Sequence, residues 1–426
     1  MTANRTNRRL CVLNAGSSSL KFGVYGIAGG LRQLQVGAVE GIGIGIGGGK
    51  GRLRITTADG KPLHEAVLDA TDHATALDAL AAVPDGPLER SGLVAFGHRV
   101  VHGGPDMTAP VVVDAATLAR IEALNPLAPL HNPPAVAVLR ALSERFPGVM
   151  QVACFDTAFH RGHPAVADRF AIPDALYQEG VRRYGFHGLS YEYIAGALPE
   201  HAPEIASGRV VVAHLGSGAS MCALAGGRSV DSTMGFTALD GLPMGTRPGS
   251  LDPGVILWLQ QQKGWTVDRV EHFLYEECGL KGLSGVSNDM RTLLASEAPL
   301  ATLAVEYFVY HVVKTAGSLA ASMGGIDGMV FTAGIGERSP EIRERVLRRL
   351  GWLGFVLDEA ANQAAGPCLT RPDSLHPAYV IPTDEEIVIE RHTLALLGDA
   401  KGSATYFATG VPSVRAQAYS LRARLP

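Results

Sequence analysis

Two stretches of this chain carry the same pattern. Residues 11–14, Cys-Val-Leu-Asn, lead into Gly16-Ser17-Ser18-Ser19, and alternation resumes at Leu20, Phe22 and Val24. Roughly 200 residues later, residues 210–215 lead into Gly216-Ser217-Gly218-Ala219-Ser220, and Met221-Cys222-Ala223-Leu224 returns. An apolar run, a turn of small residues and an apolar return read as strand, tight turn, strand. Glycine lets the backbone approach a ligand, and successive turn amides beside hydroxyls make a concave anion site. Lys21 adds a positive charge to the first turn. The recurrence predicts two units, each opening on a β-turn-β anion site.

The rest of the chain fits units of mixed type. Residues 93–101 read as a buried strand. A helix is expected from Asp114, its N-cap, with Leu118, Ile121 and Leu124 on the apolar face. A second is expected from Asn132, with Pro133 at the first helical position and Val136, Leu139 and Phe146 inward. A strand follows at 151–155, and a long helix at 302–323. Residues 328–333 read as a strand that enters Gly334-Ile335-Gly336, then a helix capped by Ser339. Strands interleaved with helices indicate an α/β fold. A strand delivering glycines to a helix start suits a nucleotide. At 426 residues, two or three domains are expected.

Residues 41–51 contain Gly43-x-Gly45-x-x-Gly48, a superficial match to a dinucleotide fingerprint. That fingerprint needs a helix opening at its last glycine, yet residues 53–57 read as a strand. Lys50 is followed by Gly51 rather than Ser or Thr, so no P-loop is present either. A hairpin loop is the better reading.

Net charge −4 and a sequence pI near 6.4 give no basic field for nucleic acid. The five cysteines are scattered and form no Cys-x-x-Cys pair, so neither a disulfide framework nor a zinc site is indicated. No apolar stretch reaches the ~20 uncharged residues of a membrane span. A cytoplasmic protein is expected, with a loosely attached polar tail at 400–426.

Several polar residues end apolar strands, where α/β proteins place ligands. Arg99 lies within an apolar run and must face either an internal carboxylate or an anionic ligand. Arg247, in a glycine-rich loop, is either solvated or presents its fork to phosphate. Asp156 either caps the next turn or orients a nucleophile or metal. His187 either donates to a phosphoryl oxygen or caps the helix at Ser190. His160 and His163 form a lone His-x-x-His without further zinc ligands. Glu385 and Glu386 open the last helix. Two anion turns, two arginines, a histidine and two acidic sites suit phosphoryl transfer, which needs positioning and charge neutralisation.

These motifs resemble those of the acetate kinases, within the superfamily of acetate and sugar kinases and actin-like ATPases. The resemblance rests on residues 13–21, on Gly97-His98-Arg99-Val100-Val101-His102-Gly103-Gly104 and on Ala128-Pro129-Leu130-His131-Asn132-Pro133-Pro134. Residues 155–160, 184–188, 244–247, 331–337 and 382–386 continue it in order. It implies two duplicated ribonuclease-H-like domains with the site in the cleft between them: residues 1–157, completed by a helix at 384–399, and residues 158–383. It implies reversible transfer of the ATP γ-phosphoryl to acetate with magnesium (or manganese), in a homodimer.

Carried over by motif, Arg99, Asp156, His187 and Arg247 would be catalytic. Arg99, Val101, Leu130, His131, Phe186 and Ala238 would bind the acid. ATP would meet Ser17, Ser19 and Lys21, then His214, Leu215, Gly216, Ser217 and Gly218. Its adenosine would meet Asp289, Met290 and Arg291 with Gly334, Ile335 and Gly336. Asn14 and Glu385 would hold the metal. Three positions depart from the family pattern: Ser217 replaces the usual asparagine, Ala238 a frequent proline of the acyl pocket, and Arg338 a common asparagine. A smaller residue at 238 would admit a longer acid, so propionate is the alternative substrate. An actin-like ATPase would share the phosphate turns but not the set around Arg99, His131 and Asp156.

Overall fold

The computed structural model describes residues 8–28, 30–43 and 50–398. The interior of the 41–51 loop and the 400–426 tail lie outside the described residues. The first sheet contains β1 (Arg9–Ala15), β2 (Ser19–Gly26), β3 (Arg32–Glu40), β4 (Gly51–Thr57), β5 (Pro62–Leu68), β6 (Leu93–Val100), β7 (Val111–Val112) and β8 (Met150–Phe155). The second contains β9 (Arg209–Leu215), β10 (Ala219–Ala225), β11 (Arg228–Ser232), β12 (Gly328–Thr332) and β13 (Ala378–Val380). Helices of eight residues or more are α1 (His73–Ala81), α2 (Ala115–Glu122), α3 (Asn132–Arg145), α4 (Gly188–His201), α5 (Pro253–Lys263), α6 (Pro299–Ser322), α7 (Pro340–Arg349) and α8 (Glu385–Leu397).

The strand orders are β5-β4-β3-β2-β1-β6-β8-β7 and β11-β10-β9-β12-β13. Each sheet is built around one founding strand. β1 pairs antiparallel with β2 and parallel with β6, and β9 pairs antiparallel with β10 and parallel with β12. The third strand of each hairpin set and the second parallel strand extend both sheets the same way. The duplication expected from the two turns is therefore present in the pairing: two ribonuclease-H-like sheets of one topology. β3 and β4, on either side of residues 41–51, pair antiparallel with Glu40 opposite Arg52.

Apolar side chains of β1 and β2, including Cys11, Leu13 and Phe22, meet Leu77 and Leu80 of α1 and Val138 and Leu142 of α3. On the other face of that sheet, Leu10, Val12, Ala95 and Val152 meet Val388, Ile389 and Leu394 of α8. Burial of each such side chain contributes about 1.5–3 kcal/mol. In the second sheet, Val211, Ala213, Met221 and Phe331 pack under Phe308, Val309 and Val312 of α6. Its reverse face carries α4 through Tyr191, Ile194 and Leu198. The same helix sends Leu189 and Tyr193 into the α8 cluster. It therefore belongs to both cores.

Two helix boundaries differ from expectation. Asn132 does not cap α3 but is its first residue, after His131. Its amide is taken up by the backbone of His102, which donates to Asn132 Oδ1 at 3.0 Å and accepts from Nδ2 at 3.3 Å. The glycines after β12 do not precede a helix but form one, Ala333–Arg338, and Ser339 then caps α7. Asp114 caps α2 as expected, accepting from the amide of Thr117.

Candidate active site

The carboxyl ends of β6 and β8 place Arg99 and Asp156 side by side. Arg99 Nε donates to Asp156 Oδ1 at 3.0 Å, and Nη2 to Oδ2 at 2.6 Å. Nη1 lies 3.9 Å from Glu385 Oε2, at the start of α8. Of the two readings for Arg99, the internal carboxylate is therefore present. It occupies one edge of the fork and leaves Nη1 turned to Glu385. Asp156 does not cap a helix. Burial pushes its carboxyl up while Arg99 pulls the other way. Burial also works against the Arg99 charge, but Asp156 and Glu385 outweigh it and hold the guanidinium charged.

Gly188 joins this pair to His187. Its amide donates to the Asp156 carbonyl at 2.8 Å. A Cβ at Gly188 would fall 2.1 Å from that oxygen, so no other residue fits without displacing one of the two chains. His187 itself has φ +56 and no capping hydrogen bond, which removes the helix-cap reading. Its Nδ1 meets Ser220 Oγ at 2.8 Å. Its ring stacks on His214, with centroids 4.1 Å apart and planes 14° apart. Burial, then His214, Arg99 and Arg247, push the His187 pKa well below the usual value. His214 is lowered to about 4, by burial and Arg99.

Arg247 approaches from the loop before α5. A tight turn, Met244 N to Arg247 O at 2.9 Å, shapes that loop, and Gly245 N to Ser217 O at 3.0 Å ties it to the second anion turn. Arg247 Nη1 donates to the Ala238 carbonyl at 2.8 Å. Among the described residues no carboxylate pairs with it, and burial pulls its pKa down. A Cβ at Gly218 would lie 2.9 Å from Arg247 Nη2 and 3.5 Å from His187 Nε2. The bare backbone of Gly218 thus leaves one small space shared by two donors.

The residues expected to line an acyl pocket are partly assembled. Val101 and Ala238 pack against the cluster that contains Phe186. His102 sets its ring edge on Phe186 and Tyr184, at 5.5 and 4.3 Å. Leu130 stands apart, exposed. His131 heads α3, its pKa lowered to about 4 by burial and then by Arg247 and Arg99. Its ring also lies 6.5 Å from that of Tyr275.

In the first anion turn, Gly16 N donates to Ser19 O at 2.8 Å, and Ser17, Ser18 and Lys21 are exposed. In the second, Gly216 N donates to Gly218 O at 3.1 Å and Ser217 is exposed. The expected adenosine residues divide. Asp289 and Arg291 line an open recess of about 660 Å³ with Val286, Thr292, Ala295 and Ser296, and they pair with each other at 2.7 Å. The Met290 side chain is in the core. Gly334 is exposed, whereas the Gly336 carbonyl is buried against Arg343 Nη1 at 2.9 Å. The carboxylate of Glu337 accepts from Ala333 N and Thr383 N, at 2.8 and 3.2 Å, and so links the glycine turn to the segment before Glu385.

His160 and His163 are core residues sharing Ser229 Oγ, each at 2.7 Å. Among the described residues no group of three or more His, Cys, Asp or Glu side chains is placed to hold a metal. None of their helices is long and apolar enough to cross a membrane. Sequence reasoning assigned no site role to Ser220, Tyr191, Asn132 or His102, reading Ser220 only as part of the second turn and Asn132 only as a helix start. Asn132 and His102 lie within quoted motifs, but only the fold shows what these side chains touch.

A family model described as the acetokinase family matches residues 9–391. The acetate kinase of Nitrobacter hamburgensis is 56% identical over 401 residues, covering 93% of this chain and 98% of that one. The acetate kinase of Rhizobium meliloti is 53% identical over 395 residues, covering 91% and 98%. Among solved structures, acetate kinase from Porphyromonas gingivalis aligns with a TM-score of 0.81 at 34% identity, covering 92% of this chain and 100% of its own. A propionate kinase from Francisella tularensis aligns with a TM-score of 0.83, also at 34% identity, covering 91% and 99%. Two sheets of one topology, a shared site at their strand ends and these full-length matches agree: the chain belongs to the acetokinase family.

Proposed function

We propose that the chain transfers the γ-phosphoryl group of ATP to acetate, reversibly, giving acetyl phosphate and ADP. One observation carries the assignment of roles. Arg247 is a desolvated guanidinium without a carboxylate partner, beside a neutral histidine, at a turn built for anions. A charge held this way is costly until an anion arrives.

Acetate and ATP repel each other, so the protein must supply cations along their approach. Arg99, steadied by Asp156, turns its free edge to the acid's carboxylate. Val101, Phe186 and Ala238 enclose the methyl group. An acetate oxygen forms the new bond to phosphorus as the bond to the ADP oxygen breaks, in line. Arg247 and His187 hold the equatorial oxygens of the phosphoryl in transit, and His131 supports them. Ser17, Ser19, Lys21 and residues 214–218 cradle the nucleotide phosphates, and Asp289, Arg291 and Gly334 border the adenosine.

A small hard cation suits the donors nearby. Glu385 meets only Arg99 among the described residues, at 3.9 Å, so its oxygens stay open to accept, and Asn14 offers an amide oxygen. These two would hold magnesium or manganese, which when bound neutralises charge on the nucleotide phosphates.

The domain reading assigns residues 1–157 with 384–399 to the first unit and 158–383 to the second. Packing of α8 on the first sheet supports it. A homodimer is part of the same reading, supported by the exposed Leu257 and Trp258 of α5. Light scattering of the protein and of a Leu257→Ser/Trp258→Ser variant tests that point.

The deciding assay supplies ATP and acetate and traps acetyl phosphate with hydroxylamine. Trapped product is expected. ADP and free phosphate alone would favour an actin-like ATPase. Ala238 favours some tolerance of propionate, where one methylene is worth ~1–3 kcal/mol. An Ala238→Val variant is expected to lose at least about fivefold more kcat/KM on propionate than on acetate. Equal losses would remove residue 238 from the acyl pocket.

A further inference from the structure

We infer that Tyr191 and Ser220 are positioning residues that fix His187 in one tautomer, with the proton on Nε2. The inference rests on the reading of His187 as a phosphoryl-binding group and adds what makes it a donor.

The argument is one of hydrogen-bond direction. Ser220 Oγ lies 2.8 Å from His187 Nδ1 and 2.5 Å from the Tyr191 hydroxyl. Tyr191 is fully buried, Ser220 nearly so. Three directions satisfy these distances. In one, Nδ1–H donates to Ser220 and Ser220 donates to Tyr191. The phenol proton then has no acceptor, because Ser220 is the only partner of the Tyr191 hydroxyl among the described residues. In a second, Nδ1–H and the phenol both donate to Ser220, whose own proton is then left over. A buried donor left without a partner is costly. In the third, Tyr191 donates to Ser220 and Ser220 donates to Nδ1, and every proton is used. Nδ1 is then an acceptor, and the imidazole proton sits on Nε2, the nitrogen nearest the space above Gly218.

The neighbouring imidazole repeats the device. Ser190 Oγ is buried and, among the described residues, meets only His214 Nδ1, at 2.8 Å. Its proton has no other use, so His214 also carries its own on Nε2. Ser190 and Tyr191 are consecutive residues in the first turn of α4. One helical turn therefore sets the proton positions of two stacked rings. The rings stay neutral because burial and the nearby arginines oppose protonation. A neutral ring in the opposite tautomer would point a lone pair at a phosphoryl oxygen and repel it.

Nitrogen-15 NMR of the full chain labelled at histidine tests this, with His187 assigned by difference against His187→Gln. In the wild type, Nε2 is expected to resonate as a protonated, pyrrole-type nitrogen and Nδ1 as a pyridine-type acceptor. A His187 protonated on Nδ1 would overturn the inference. Tyr191→Phe keeps the ring and removes the directing proton. It is expected to populate the Nδ1–H tautomer and to lower kcat about tenfold or more, with acetate KM within about twofold. Ser220→Ala is expected to lower kcat similarly, and Ser220→Thr to restore it. Wild-type tautomer and kcat in both Tyr191→Phe and Ser220→Ala would also overturn the inference. A separate failure is distinguishable: near-normal turnover in His187→Gln would sink the phosphoryl-binding reading whatever the tautomer.

Discussion

Arg99 keeps a carboxylate at 2.6 Å, while among the described residues Arg247 keeps only the Ala238 carbonyl, at 2.8 Å. The difference separates stability from activity at the level of single residues. Asp156→Ala strands the Arg99 charge and is expected to cost about 3–5 kcal/mol in urea unfolding, together with most activity. Arg247→Met removes a desolvated charge that no carboxylate pairs with among the described residues, Glu276 favouring it only from beyond ion-pair distance. It is expected to leave the unfolding midpoint unchanged or raised while kcat falls about 10³-fold or more. Comparable destabilisation by both variants would show that Arg247 is internally compensated. The candidate residues were legible in the sequence: Asp156 as a polar group ending an apolar run, Arg99 as a charge within one, and Arg247 as a charge in a glycine-rich loop. Whether each had an internal partner was not, because Asp156 is 57 positions from Arg99 and only strand register brings them together.

Elements built from local signals were the easiest to read. The two hairpins, the Asp114 cap and the 93–100 strand depend on residues within a few positions of one another. The start of α4 does not. His187 takes a left-handed conformation because Gly188 is drawn onto the carbonyl of Asp156, in another sheet's strand end. α3 starts one residue earlier than its sequence signals for a similar reason: the backbone of His102 takes up the Asn132 amide that would otherwise cap the helix. Gly188→Ala is therefore expected to cost about 2 kcal/mol or more and to abolish turnover, since a 2.1 Å contact forces the start of α4 away from Asp156 at the end of β8. Circular dichroism melts with the hydroxylamine assay check this. A fully active Gly188→Ala would mean that α4 can slide without moving His187.

At the scale of the molecule, eight histidines among the described residues have their pKa lowered chiefly by burial. His98, His102 and His163 are lowered to about 3, His131 and His214 to about 4, His160 and His187 well below the usual value, and His311 moves the same way. Unfolded, each takes up a proton near pH 6.5. Their contribution is thus full above 6.5 and is lost as pH falls. Four acids act in the opposite sense: burial raises Glu390 to about 8 and also raises Asp156, Asp231 and Glu386, so their contribution is present at low pH and lost as pH rises. Eight groups outweigh four. Unfolding at pH 5.5 is expected to take up about three to six protons, so stability falls about 4–8 kcal/mol per pH unit there. That rivals the whole stability of a typical domain. Tryptophan fluorescence is expected to report cooperative acid unfolding above pH 4.5, and a native signal at pH 4 would refute the histidine account.

Helix α4 also decides how the molecule comes apart. Tyr191, Ile194 and Leu198 serve one core, and Leu189 and Tyr193 the other. A part shared by two cores cannot be released from one while the second stays intact. Calorimetry should accordingly record a single endotherm rather than two. Residues 158–383 expressed alone would carry a bare apolar strip and self-associate. The two halves inherited one topology, and this helix makes them melt as one body.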